Sequence, residues 1–283
     1  MGEYRNVPVD RIRLFEGNPF RICKDEEFEM LVDSVKASGI YNPLLLVPCE
    51  GGMYEVISGQ RRFEAAKEAG ITEIPAIVNE MNRDEAIIAL VDSNIYREHI
   101  LPSERAKAYK LKLDALSHRG KRLDLMTGGQ DGHMSAGTKS RDVIAENAPD
   151  SARQIQRYIR LNNLEKPLLD MVDEGRIGLT PAVQLSYLKP EEQLAVADAI
   201  NEMDATPNLS QAMRLRQYSS SSGLGITRAR LVMAEAKANQ REYLKLSNEI
   251  RSFFPRDYSD RQISDYIVKL LSSQNTRKKS IER

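Results

Sequence analysis

The apolar residues change their spacing near residue 80, and that change limits the folds open to the chain. Before it, short apolar runs alternate with helical stretches. Val7-Pro8-Val9 with Ile12 reads as a strand and its exit. Pro43 to Pro48, Tyr54 to Ile57 and Ile74 to Val78 read as further strands bounded by turn residues. Between them, Glu26 to Ser38 places Phe28, Leu31, Val32 and Val35 on one helical face and stops at Gly39, and Gln60 to Ala69 repeats helical spacing before Gly70. From Arg83 the pattern is helical, first about 83–96 and 102–118, then near 140–147, 151–162, 165–173, 180–187, 190–202 and 208–217. The predicted class is an α+β domain followed by all-α modules, mostly α overall.

Composition agrees with several small modules better than with one large core, since 41% of residues are hydrophobic and 29% charged. Tryptophan is absent and aromatics make up 6%, which argues against a large aromatic-lined pocket. Cys23 and Cys49 lack any CxxC spacing and read as packing residues of a reducing compartment. The first fifteen residues hold no apolar core of signal-peptide length and no stretch approaches roughly 18 apolar residues, so a cytoplasmic protein without a membrane partner is expected. His99, His118 and His133 share no ligand spacing, so no zinc site is expected.

Net charge is zero, but its distribution is uneven. Basic and acidic residues number fifteen against twenty over 1–116, and eight against five over 117–162. They number five against nine over 163–223, and thirteen against seven over 224–283. A chain with no net charge can still present a basic face to phosphates.

Residues 120–138 hold five glycines without periodicity and read as a flexible connection or an exposed loop. Gly132 and Gly137 to Ser140 nearly spell a phosphate-binding loop, but Thr138 separates the required Gly and Lys and no strand precedes it. Ser219 to Ser222, closed by Gly223, is the strongest linker signal. The domains expected are 1–100, 101–218 and 224–283, the last a small basic helical module suited to dimerisation or to clamping DNA. In it Ser259 to Gln262 has the form of a capping box before a helix from Ile263 to Leu271, and Arg277-Lys278-Lys279 reads as a basic tail.

Lys139 to Leu164 has the pattern of a helix-turn-helix. Val143, Ile144 and Ala145 supply the buried side of a first helix. Pro149 ends it, lacking an amide proton and disfavouring helix in the residue before it. Ser151 is a good N-cap for the second helix, with Asp150 as the alternative. That helix turns Ile155, Ile159 and Leu161 or Leu164 inward and leaves Arg153, Gln154, Gln156, Arg157 and Arg160 outside, with Ser140 and Arg141 at the start of the unit. Arg can pair with guanine and Gln with adenine in a major groove. Residues 151–154 lie nearest the bases and Arg160 on a phosphate. The competing reading is an ordinary surface helix pair.

Ile57-Ser58-Gly59-Gln60-Arg61-Arg62 runs from a strand end into a helix start, where free N–H groups and the helix dipole favour an anion. Gly59 permits close backbone approach, and the two arginines add bidentate oxygen-binding capacity. Asp92 to Glu98 with Leu101 to Glu104 groups carboxylates and amides that suit either a divalent metal with phosphates or the capping of two helices.

The ordered blocks resemble the ParB/RepB partition family: Asn18-Pro19-Phe20-Arg21, the segment from Ser34 to Val47, SGQRRFEAAKEAG from Ser58, Ile74-Pro75, VDSNIYREHILPSERAKAY from Val91, the helix-turn-helix, and EGRIGLTPAVQLSYL from Glu174. The likeness spans roughly residues 5–190. It implies a ParB/sulfiredoxin-like N-terminal domain and recognition of palindromic double-stranded DNA by a homodimer in plasmid, chromosome or mobile-element partition. It also implies a nucleoid-associated location and a ParA-like ATPase as partner. CTP with Mg2+ would close a sliding clamp, with weak CTPase activity, held by Arg21, Ser58, Gly59, Gln60, Arg61, Arg62 and Asn94, with Asn94 and Asp92 on the metal side. Three positions depart from the family pattern: Gln60 and Ser93 stand where it has Glu, and Ile22 follows Arg21 where a proline is usual. A transcriptional regulator with the same reader helix, or a nucleotide-dependent enzyme on the same fold, are the other functions this sequence allows.

Overall fold

Five strands form one sheet in the order β1-β5-β3-β4-β2: β1 Glu3–Pro8, β2 Ile12–Leu14, β3 Leu44–Pro48, β4 Tyr54–Ser58 and β5 Glu73–Val78. β1 runs antiparallel to β5, and β3 antiparallel to β4, while β3–β5 and β2–β4 are parallel. The computed structural model describes residues 2–127, 142–221, 223–235, 253–254, 263 and 266–267, with backbone alone over 119–127.

Alternation along β3 and β4 makes both faces of the sheet apolar. Leu44, Leu46 and Val56 meet Phe28, Val32 and Val35 of α1 (Glu26–Ser38) and Phe63 and Ala66 of α2 (Gln60–Glu68). On the opposite face Val47 and Ile57 meet Phe15 and, from α3 (Arg83–Asn94), Ala86 and Leu90. Local chemistry fixes the helix ends. Asp25 accepts the Phe28 amide at 2.9 Å and opens α1, and Asn82 with Glu85 closes a reciprocal capping box at the start of α3.

The helical part runs through α4 (Pro102–Thr127), α5 (142–146), α6 (Ala152–Leu161), α7 (Lys166–Asp173), α8 (Leu179–Leu185), α9 (Pro190–Met203), α10 (Leu209–Ser221) and α11 (Ile226–Ala234). A third apolar cluster joins Phe20, Val91 and Ile95 to Tyr109 of α4, Ile144 of α5 and Ile155 of α6. The chain divides into two units, Met1–Val232 and Met233–Arg283. In the second, Phe254 and Tyr266 make an edge-on ring contact at 5.7 Å, and Ile263 is buried.

Several sequence expectations are corrected. The first strand begins at Glu3, and Val9–Arg11 is a short 3-10 turn that leads into a separate β2. α4 continues through Gly120 to Thr127, where a loop was expected from 120. Val143 is 45% exposed, so Ile144 carries the buried side of α5. Ser219 to Ser221 are the last turn of α10, not a linker. Cys23 lies on the surface, so it is no packing residue. The glycine-rich stretch from 128, the near phosphate-binding loop, Ser140, Arg141, the capping box from Ser259 and the Arg277 tail lie outside the described residues. Among the described residues no helix is long and apolar enough to cross a membrane.

Candidate nucleic-acid interface and anion box

The turn between α5 and α6 is built as the sequence suggests. Pro149 interrupts the helix, Ser151 adopts an extended backbone, and its hydroxyl accepts the Gln154 amide at 3.3 Å. Asp150 caps nothing here. It accepts from Arg105 Nη1 at 3.1 Å and from the Tyr109 hydroxyl at 2.6 Å, locking the turn onto α4. Burial pushes the Tyr109 hydroxyl far above its ordinary range, and the Asp150 carboxylate adds to it, so the phenol stays a proton donor.

With Ile155 and Leu161 buried, α6 can present only its other face. Arg153 and Gln156 are exposed, and Gln154 and Arg157 half-buried. A groove of about 680 Å³ runs along this face, with Lys110, Arg153, Arg157 and Arg160 on its walls beside Gln156 and Gln184, and no Asp or Glu lines it. Among the described residues neither Arg153 nor Arg157 has an ion-pair partner. Arg160 is anchored instead. Its Nε donates to Ser186 Oγ at 3.1 Å and its Nη2 to the Ser186 carbonyl at 2.9 Å, over the Tyr187 ring at 4.0 Å.

The second site lies at the junction of β4 and α2. Gly59 takes a left-handed backbone (φ 98°) as the N-cap of α2, and a Cβ there would come within 3.0 Å of Leu44 and 3.1 Å of Arg62. No side chain caps this end of α2, so backbone N–H groups at the first turn remain for a ligand. Gln60 is fully buried, and neither amide atom finds a partner. An orphaned donor and acceptor at 0% exposure are costly.

Arginines gather round this junction. Arg61 Nη2 donates to Asp25 Oδ1 at 2.8 Å. The Phe28 amide, and then Arg61, hold the Asp25 carboxyl below its usual range. Arg62 donates to the carbonyls of Asn42 and, at 3.3 Å, Pro43, which straps α2 to the loop before β3, and burial lowers its pKa. Arg97, missed in the sequence, stacks on Phe20 at 5.8 Å. Burial first, and then the neighbouring Arg61 charge, lowers its pKa, while Glu104 raises it. Its signal was the arginine three residues after Asn94, in the block already singled out. Arg21 is reached from the other side: its backbone amide donates to Glu104 Oε1 at 2.9 Å, and its side chain is exposed. Ser58 is half-buried at the end of β4.

The expected metal pair does not converge. Asn94 is buried and donates to the Leu90 carbonyl at 2.7 Å and to Ser93 Oγ at 3.0 Å. Asp92 pairs with Lys112 of α4, because helix positions two apart face different ways. Of the nearby acids, Asp25 is held by Arg61 and Glu104 by the amides of Arg21 and Leu101. The box therefore fits a phosphate chain, whereas a hard cation would find amides in place of carboxylates. Among the described residues no three His, Cys, Asp or Glu side chains form a metal cluster.

The chain is similar in sequence to known proteins. Residues 1–95 match the ParB N-terminal domain. The chromosome-partitioning protein Spo0J of Thermus thermophilus is 27% identical over 210 residues, 74% of this chain and 70% of that protein. The probable chromosome 1-partitioning protein ParB of Deinococcus radiodurans is 24% identical over 276 residues, 95% of this chain and 88% of that one. Among solved structures, the C-terminally truncated chromosome-partitioning protein ParB from Caulobacter crescentus complexed to the centromeric parS site is 20% identical, with a TM-score of 0.43 over 77% of this chain and 100% of that chain. Residues 1–95 thus carry a ParB N-terminal domain, and the chain is similar along most of its length to chromosome-partitioning proteins.

Proposed function

We infer that this chain binds specific DNA sites in the partition of a chromosome, plasmid or mobile element, with α6 as its reader and the arginine box as a nucleotide site. The observation that carries the reading is the groove that no acid lines: four cations face it, of which Lys110 is paired with Asp114, on a molecule whose formal net charge is zero. Phosphate attraction needs such a local surplus, and Arg153, Gln154, Gln156 and Arg157 supply side chains that match base edges. The names of the relatives support the partition role.

Residues 1–100 hold CTP through Arg21, Ser58, Gly59, Gln60, Arg61, Arg62 and Arg97, residues 101–218 hold DNA, and residues 224–283 pair two copies on a palindrome. Any Mg2+ arrives with the phosphates, since Asp92 is taken by Lys112. The protein works on the nucleoid, with a ParA-like ATPase as companion.

The test is a pull-down of fragmented genomic DNA by the purified protein at physiological salt, sequenced with and without CTP and Mg2+. A sharp palindromic peak is expected, with signal spreading outward when CTP is present. A peak that never spreads turns the reading toward a plain regulator, and no enrichment in either condition sinks it. At the peak sequence, Arg157→Ala is expected to cost about 1–3 kcal/mol of specific binding. Unchanged affinity removes Arg157 from the reader.

A further inference from the structure

Tyr187 lies just past the end of α8, and two guanidinium groups stack on its ring. Arg160 of α6 stands 4.0 Å from the ring centroid and Arg216 of α10 stands 3.8 Å from it. Each is held on a second side. Arg160 is fixed twice by Ser186, and Arg216 Nη1 donates to Gln184 Oε1 at 3.1 Å. No carboxylate touches either group among the described residues. Gln184 lines both the reader groove and a second hollow that Ser210, Met213, Gln217 and Ser220 form on α10, so one surface continues from α6 to α10.

Ring packing alone does not account for this arrangement. Each face of a tyrosine ring attracts one cation, at about 0.5–1 kcal/mol for an exposed pair. Bringing a second like charge to the same ring adds repulsion that neither Ser186 nor Gln184, both neutral, offsets. An anion at the rim of the ring, within reach of both guanidinium groups, reduces that repulsion. Each guanidinium carries five N–H donors, of which Arg160 spends two and Arg216 one on its protein partners. The remaining donors, on forks already oriented by the ring, match the oxygens of a phosphodiester.

We propose that Arg216, Tyr187 and Arg160 form a clamp for one phosphate of the DNA backbone, which makes α10 a second docking element beside the α6 reader. This clamp rests on the reading of α6 as a DNA-binding helix. It contributes affinity and register without sequence preference, because a phosphate is the same at every step. Tyr187 acts by positioning the two arginines, and Gln184 by aiming Arg216.

The test uses the full chain and a fluorescent mixed-sequence duplex of about 30 base pairs, with affinity measured between about 50 and 200 mM salt. Arg216→Gln is expected to weaken binding about tenfold at the low-salt end and to reduce the slope of log affinity against log salt by about 0.9, the signature of one lost phosphate contact. Gln184→Glu, which sets a carboxylate beside Arg216 at nearly the same size, is expected to do the same, and it carries the test if Arg216→Gln does not fold. Lys36→Gln, a cation on α1 removed from the groove, leaves the slope unchanged. A merely structural role for Arg216 would lower the melting temperature without moving the slope, and that result overturns the clamp. So does an unchanged affinity for both groove variants while Arg157→Ala weakens binding, an outcome that leaves the reader intact. If the wild-type chain binds no duplex, the reader and the clamp fall together.

Discussion

Gly59 shows how one residue ties the fold to the anion box. Its left-handed backbone lets β4 turn directly into α2, and its missing side chain leaves Leu44 and Arg62 in contact range. Gly59→Ala is expected to cost about 1–3 kcal/mol of stability, from the unfavourable φ and the crowding together, measured as a shifted denaturant midpoint. A midpoint equal to wild type would show that the turn relaxes without strain. Positions governed by their immediate neighbours were legible in the sequence. Ser151 caps α6 and Gly39 ends α1 because those roles depend on a few adjacent bonds. Long charged side chains were not. Arg160 found Ser186, Asp92 found Lys112 and Arg62 found the Asn42 carbonyl, partners that lie 20 to 26 residues away in the chain. Gln60 was legible as an amide in place of a carboxylate, but its orphaned burial belongs to the packing around it.

At the scale of elements, β3, β4, β5 and the helix pair α5–α6 followed from periodicity, β2 did not because a 3-10 turn splits the first expected strand, and two helix boundaries moved. Glycine in a helix interior costs about 1 kcal/mol, yet α4 runs through Gly120. The serine run that resembled a linker is helical because Glu192 of α9 reaches it. The Glu192 carboxylate accepts from Ser219 Oγ and from the amides of Leu224 (3.0 Å) and Lys189 (3.1 Å). Burial alone would raise its pKa, but these three donors outweigh it and hold the carboxyl below its usual range. A depressed folded-state pKa contributes stability above the ordinary carboxylate range, and that contribution disappears as pH falls through the folded value. Glu192→Ala is expected to lose about 1–3 kcal/mol near neutral pH, because the Leu224 amide is left buried without an acceptor. The difference from wild type, followed by denaturant titration, should shrink in acid. A constant difference would mean that the charge is immaterial.

For the molecule as a whole, the sheet and the helices that follow it form one unit. The cluster joining Phe20 to Tyr109 and Ile155 runs from the segment that supplies Arg21 to α6, the proposed reader. A fragment of residues 2–235 is therefore expected to melt in one cooperative transition seen equally by far-ultraviolet dichroism and tyrosine fluorescence. Two separated transitions would mean that the sheet domain and the helical part are joined only loosely. The acid-free groove has a consequence for approach. A body without net charge gains nothing from translation in a uniform field, but one with a local surplus of cations, such as this groove, feels a torque. Near a polyanion this chain is rotated before it is drawn in, so orientation is settled at a distance of about a Debye length and contact begins with the groove already turned inward.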